Sequence, residues 1–304
     1  MTEGGALDRW LDSDGSFPQY LFGIDRAAVS DAPVLILGES GTGRSTLARS
    51  LHSVSPRSSG PLVEVDPGVV PADLFEGDLF GFKRGAFTGA TEDSPGRLGR
   101  AEGGALLFDH VEELPLTTQS KLLRLIAEKK YSPLGGTEVS ADLRFLAVAS
   151  PDLAWRAERG AFRADLFYRL EVLAFRLPPL RERLEELPRL AARVLEDLGA
   201  RLNRPHLQLS PQAKSWMVEY SWPGNLRQLR NLLEREIVLQ GEGILDPPRP
   251  SEVSQGAPRS LAEVEEEQIR TTLAFTRGHQ GRAASLLGIS RKALWQKRRR
   301  LGIP

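Results

Sequence analysis

Four short apolar runs punctuate the first half of the chain, separated by stretches with helical spacing. Ala32-Pro-Val-Leu-Ile-Leu-Gly38, Leu62-Val-Glu-Val65, Gly104-Ala-Leu-Leu-Phe-Asp109 and Leu143-Arg-Phe-Leu-Ala-Val-Ala149 have the length and apolar content of buried strands. Between them, residues 46–52, 71–79 and 115–128 read as helices; the last carries Leu116, Leu122, Leu123 and Ile126 at helical spacing. Strands alternating with helices predict a parallel α/β sheet covered on both faces. Beyond residue 180 the period is helical throughout. Leu187, Leu190, Ala191, Val194, Leu195 and Leu198 share one face, which suits a helical lid, and Trp222-Pro-Gly-Asn-Leu-Arg-Gln-Leu-Arg230 opens another helix. Residues 241–260 contain Pro247, Pro248, Pro250 and Pro258 among Gly and Ser, a linker by composition. Residues 261–276 then predict a helix. Residues 281–302 predict helix, tight turn at Gly288 and a second helix capped by Ser290, with Ala284, Leu287, Ile289, Leu294 and Leu301 as a small core.

The resulting plan is a short N-terminal tail (1–20), an α/β domain (21–180), a lid (181–240), a linker (241–260) and a small all-α domain (261–304). Composition adds little to the first two hundred residues and much to the last forty. The 304 residues balance 40 basic against 40 acidic side chains, so the whole chain is no basic polyanion binder. Yet Arg282 to Arg300 carries only basic charges. No cysteine is present, which excludes disulfides and thiolate metal sites and fits a reducing compartment. No apolar run reaches the roughly 18 residues of a membrane span, and the N-terminus lacks a signal pattern. A cytoplasmic protein without a membrane partner is expected.

Candidate chemistry sits at the ends of the predicted strands. Gly38, Glu39, Ser40, Gly41, Thr42, Gly43, Arg44 and Ser45 form Gly-x-x-x-x-Gly-Arg-Ser between a strand and a helix. Backbone N–H groups and the helix dipole converge there on a phosphate, although the usual pattern has Lys where Arg44 stands. Asp109, at the end of a later strand, is placed to reach a magnesium ion, with Ser45 as the second ligand. Gly85-Ala86-Phe87-Thr88-Gly89-Ala90 surrounds one aromatic with small, turn-forming residues, the composition of a sharply turning loop with a single anchor. In the last domain, Ser290 caps a helix whose Arg291, Lys292, Gln296, Lys297 and Arg298 are left to face double-stranded DNA.

Together these segments resemble the AAA+ activators of sigma-54 RNA polymerase, over residues 20–304. The resemblance implies a P-loop AAA+ domain, a helical lid and a Fis-type helix-turn-helix. It also implies ATP and magnesium as cofactors, and Phe87 and Thr88 offered to sigma-54 as nucleotide turnover moves the loop. Phe162-Arg-Ala-Asp-Leu-Phe-Tyr-Arg-Leu170 resembles the arginine-finger segment, implying Arg163 and Arg169 as fingers acting across a subunit boundary, hence a ring of identical or related subunits. Arg227 corresponds to the lid arginine that senses nucleotide. Members often carry an N-terminal sensory domain, for which residues 1–20 leave no room.

Four positions depart from the family pattern. Arg44 replaces the phosphate-loop lysine, and its fork is wider than a point-like ammonium. His110 replaces the glutamate that orients the attacking water. Asp66 replaces the asparagine that holds that glutamate, so Asp66 and His110 form either an ion pair or a hydrogen bond. Ser150 replaces the asparagine that senses the γ-phosphate. Nucleotide binding is therefore expected with impaired hydrolysis. Two functions follow: an ATPase that remodels the closed promoter complex, or a modulator that occupies DNA, sigma-54 or mixed rings without brisk turnover.

Overall fold

The computed structural model describes residues 5–8, 10–11, 15, 17–241, 243–250, 265, 268–270, 272–273, 276 and 279–301. They divide into two compact units, Met1–Pro248 and Arg249–Pro304. The first is built on five parallel strands: β1 (Val34–Gly38), β2 (Leu62–Val65), β3 (Ala105–Phe108), β4 (Arg144–Ala149) and β5 (Leu173–Leu177). Their spatial order is β2-β3-β4-β1-β5, with Val34 beside Leu146 and Leu62 beside Ala105 in the register. Strand side chains alternate between faces, and the two cores divide accordingly. Val34, Ile36, Leu107, Leu146 and Val148 pack on one face with Leu47 and Leu51 of α1 (Arg44–Ser53). Leu35, Leu37, Leu106, Phe108 and Phe145 pack on the other with Phe75 and Leu79 of α2 (Ala72–Phe80), Leu122 and Leu125 of α3 (Leu116–Glu128) and Leu166 and Leu170 of α4 (Ala164–Leu170).

Two expectations change here. Leu7 and Trp10, in the stretch read as a bare tail, are buried in the first of these clusters. Apolar side chains so close to an uncovered sheet face gain more by docking than by staying solvated. The linker also begins later than composition suggests. Ile244–Leu245 pairs in parallel with Gln208–Leu209, Leu245 is fully buried, and the Trp216 indole donates to the Pro247 carbonyl at 3.2 Å. Residues 244–248 thus complete the lid, and 251–260 of the linker lie outside the described residues.

The lid packs α5 (Leu187–Leu202) and α6 (Asn225–Gln240) around Leu195, Leu198, Leu229, Leu233 and the wholly buried Trp222. In the second unit α7 (Gln280–Leu286) and α8 (Arg291–Arg300) enclose Ala283, Ala284 and Leu294, with Leu287, Ile289 and Leu301 packed against them. The helix expected over 261–276 falls largely outside the described residues. Among those described, no helix is long and apolar enough to cross a membrane.

Candidate functional site

β1 ends at Gly38, and the chain turns through Gly41 and Gly43, whose φ values of 81° and 103° are open to glycine and strained for other residues. A Cβ on Gly41 would also stand 2.4 Å from the Gly224 carbonyl. The loop then feeds α1, whose first N–H groups have no intrahelical acceptor and point toward a cleft of about 730 Å³. Gly41, Gly43, Arg44, Ser45, Asp109, His110 and Arg227 all line that cleft. Its lining also includes Trp10, Leu190, Val194 and Leu226, interspersed with Arg193, Glu196, Asp197 and Arg230. A polar end at the glycine loop with apolar side chains elsewhere in the lining suits a nucleotide's phosphates and base.

The side chains at the polar end are engaged in specific ways. Ser45 Oγ donates to Asp109 Oδ2 at 2.7 Å, while Asp109 Oδ1 is buried with no hydrogen-bond partner. This hard-oxygen pair fits a magnesium ion completed by phosphate and water. Among the described residues no cluster of three or more His, Asp or Glu forms a cation cage. Arg44 is buried, and its Nη1 donates to the carbonyls of Gly38 at 2.7 Å and Ala149 at 2.5 Å. Expected to spend its charge on phosphate, the guanidinium ties β1 to β4 with one arm. The longer fork reaches main-chain acceptors beneath the loop that an ammonium would leave alone. Burial pushes Arg44 below its ordinary value, and the nearby Glu112 and Asp109 carboxylates work against that shift.

His110 follows the strand acid in a left-handed conformation, φ 57°, which histidine adopts more readily than most residues. Its Nδ1 stands 3.6 Å from Asp66 Oδ2 and 3.7 Å from Asp109 Oδ1. Of the two alternatives for Asp66 and His110, this geometry is an ion pair when the imidazole is protonated, and too long for a good hydrogen bond. Ser150 turns its hydroxyl onto Asp152, and its N–H donates to Glu112 Oε1 at 3.0 Å. Arg227 holds Ser40 Oγ at 2.9 Å.

Several residues that motif reading passed over complete the site. Arg181 bridges both oxygens of Glu39 (2.7 and 2.9 Å), Arg183 donates to the Thr42 carbonyl at 3.0 Å, and Asn225 donates to the Ser40 carbonyl at 3.0 Å. Arg183 also donates to the Tyr20 hydroxyl, and burial pushes that phenol up to about 12. The phosphate loop is thereby fastened to the lid through its main chain. Glu112 is a buried carboxylate with one oxygen on Ser150 and the other without a hydrogen-bond partner. A carboxylate three residues past the strand acid Asp109 was the available signal.

Arg163 and Arg169 do not line this cleft. Arg163 forks onto Asp165 at 2.7 and 3.1 Å, and Arg169 is exposed on the helix Ala164–Leu170. The Gly85–Ala90 loop also stands apart. Its feet are braced by Phe82 pairing with Ser94 and by Lys83 N–H donating to Leu134 O at 2.9 Å. Phe87 is 45 % exposed and lies edge-on to Phe82 at 5.0 Å, while Thr88 is exposed.

In the second unit, Ser290 Oγ accepts from Ala293 N–H at 3.1 Å and starts α8. Arg291, Lys292 and Gln296 are exposed as expected. Lys297 is not: it is half-buried and paired with Glu265, and Arg298 lies beside it, also half-buried. Both follow Leu294 by one turn, on the inward stripe that continues to Leu301. The outward stripe includes instead Trp295 and Arg299, which sequence reading left out.

Sheet order, glycine loop, strand acid and helical lid define a P-loop AAA+ α/β fold. Residues 11–176 match the Sigma-54 interaction domain, 181–264 the AAA+ ATPase lid domain and 260–301 the Fis family of bacterial regulatory proteins. The chain belongs to the sigma-54 interaction domain family. It is 40% identical over 288 residues to the alginate biosynthesis transcriptional regulatory protein AlgB of Pseudomonas aeruginosa, and 39% over 296 residues to the regulatory protein AtoC of Escherichia coli. In each case the match covers 91% of this chain and 64% of the relative. Among solved structures, NtrX from Brucella abortus in complex with ATP superposes with a TM-score of 0.68 at 30% identity, over 93% of this chain and 67% of that one.

Proposed function

We propose that this chain is a DNA-tethered regulator of sigma-54 RNA polymerase that binds ATP with magnesium and turns it over slowly. One contrast carries the reading: the backbone cradle from Gly38 to Gly43 and the Ser45–Asp109 pair are complete, whereas Arg44, His110 and Ser150 are engaged otherwise than hydrolysis requires. NtrX, a relative of like fold, is described with both ADP and ATP. Magnesium at Ser45 and Asp109 would neutralise phosphate charge. The chain's own part is to cradle the phosphates with N–H groups, set the base against Trp10 and Leu190, and read occupancy through Arg227. Phosphoryl transfer rests on positioning and electrostatics, and position 110 lacks a fixed negative charge.

Arg163 and Arg169, remote from their own cleft, suit action on a neighbouring subunit in a ring. Phe87 and Thr88 form the surface offered to sigma-54, and the second unit tethers the assembly to double-stranded DNA in the cytoplasm. The altered side chains favour occupancy of DNA, polymerase or mixed rings over remodelling as the working mode.

The test measures binding of a fluorescent ATP analogue and steady-state ATP turnover in one preparation, with and without duplex DNA. Saturable, magnesium-dependent binding with turnover that rises steeply on restoring Lys, Asn and Glu at 44, 66 and 110 is expected. Brisk turnover that falls in that triple variant would overturn the slow-hydrolysis reading, and absence of binding would overturn the ATP reading altogether.

A further inference from the structure

The outward stripe of α8 runs Arg291, Lys292, Trp295, Gln296 and Arg299, at positions one helical turn apart. Its only apolar member is Trp295, which is 52% exposed although Leu294 beside it is fully buried. A single exposed aromatic needs no explanation by itself. This one stands one turn from a cation on either side, and the Arg299 guanidinium lies over its ring at 5.6 Å from the centroid. The helix carries no acidic residue.

A surface so charged selects a polyanion as its occupant, and a helix started by a side-chain cap is a firm platform for contacts. Phosphate explains the cations, and the indole N–H can donate to one of its oxygens, but the broad apolar ring gains nothing there. Within a major groove the apolar feature is the thymine methyl group, which apolar side chains contact directly. We propose that Trp295 is a specificity-determining residue that reads a thymine methyl, with Arg299 held on its face and directed at the adjacent backbone phosphate. This rests on the DNA-tethering reading above, and it adds a base preference to what the cations do without regard to sequence.

The 304-residue chain is used to select duplexes from a random pool, and each thymine of the best duplex is then replaced singly by deoxyuridine. That exchange removes the methyl and leaves every hydrogen-bonding group in place. Wild type is expected to bind at least one substituted duplex roughly fourfold more weakly, the fold-change of about one buried methyl. Trp295→Ala binds thymine and uracil duplexes equally, while Trp295→Phe retains part of the preference and shows that the helix still folds. Arg299→Ala keeps the preference but shows a shallower salt dependence. Equal thymine and uracil affinities in wild type, or the same preference in wild type and Trp295→Ala, would overturn the assignment. A change in oligomeric state in Trp295→Ala with the preference intact would assign the ring to a second copy and overturn it equally. Failure to select any duplex sinks the tethering reading and this one with it, whereas methyl-blind binding sinks this one alone.

Discussion

The two halves of the phosphate site have fared differently. The cradle is made of backbone: Gly41 and Gly43 at positive φ, the start of α1, and carbonyls held by Arg183 and Asn225. The end proposed for catalysis is made of side chains, and there Arg44 ties two strands together, the Ser150 hydroxyl turns onto Asp152, and His110 stands between two carboxylates. Main-chain geometry survives substitution because any residue of suitable conformation reproduces it. Side-chain chemistry does not, because a new group finds new partners.

The largest expected effect sharpens that contrast from the catalytic side. Restoring the family residues with Arg44→Lys, Asp66→Asn and His110→Glu should raise ATP turnover by roughly 10²–10⁴-fold, the usual worth of a general base, with nucleotide affinity changed far less. Single reversions should deliver much less, since such residues act as a unit. The complementary break is Gly41→Ala. Strain at φ 81° and the 2.4 Å approach to the Gly224 carbonyl combine, and at about 1–3 kcal/mol for the backbone conformation alone nucleotide affinity should fall at least tenfold. Unchanged affinity, measured with a fluorescent analogue, would show that the cradle is not backbone-defined.

Much of this contrast was legible before any coordinates. β1, β3 and β4 are buried on both faces and therefore read as continuous apolar runs. β5 did not, because it is an edge strand with Ala174 and Arg176 exposed, so Leu173, Phe175 and Leu177 alternate with polar or small positions. The phosphate loop was legible from its glycines. Its fastening by Arg183 and Asn225 was not, because backbone carbonyls as acceptors leave no trace in the residue pattern. On α8 the information was present but unused: Leu294 and Leu301, seven residues apart, fix the helical phase that turns Lys297 inward and Trp295 outward.

A smaller effect probes Glu112. Glu112→Ala leaves the Ser150 N–H without its acceptor and removes a negative charge that favours Arg44, so stability should fall by about 1–3 kcal/mol, read as a lowered denaturation midpoint. A midpoint unchanged from wild type would mean that water replaces the carboxylate fully. The smallest concerns pH. The Arg181 hydrogen bond holds the Glu39 carboxyl below its ordinary value. A depressed carboxyl contributes stability above its unfolded value, about 4.3, and loses that contribution as pH falls through the lower folded value. Wild type should therefore lose slightly more stability than Arg181→Ala on acidification below about pH 4, within roughly 1 kcal/mol for so exposed a pair. Parallel acid titrations of the two proteins by circular dichroism would check it, and identical curves would show that the pair contributes nothing.

The attachment of the lid to the carbonyls of Ser40 and Thr42 separates communication from chemistry. A ligand that shifts the loop backbone shifts the lid with it, and none of the residues at 44, 66, 110 or 150 takes part in those two hydrogen bonds. Such a linkage responds to arrival and departure, so its timing is set by dissociation rather than bond cleavage. On the function proposed above, the concentration of nucleotide, more than its consumption, becomes the variable the molecule registers.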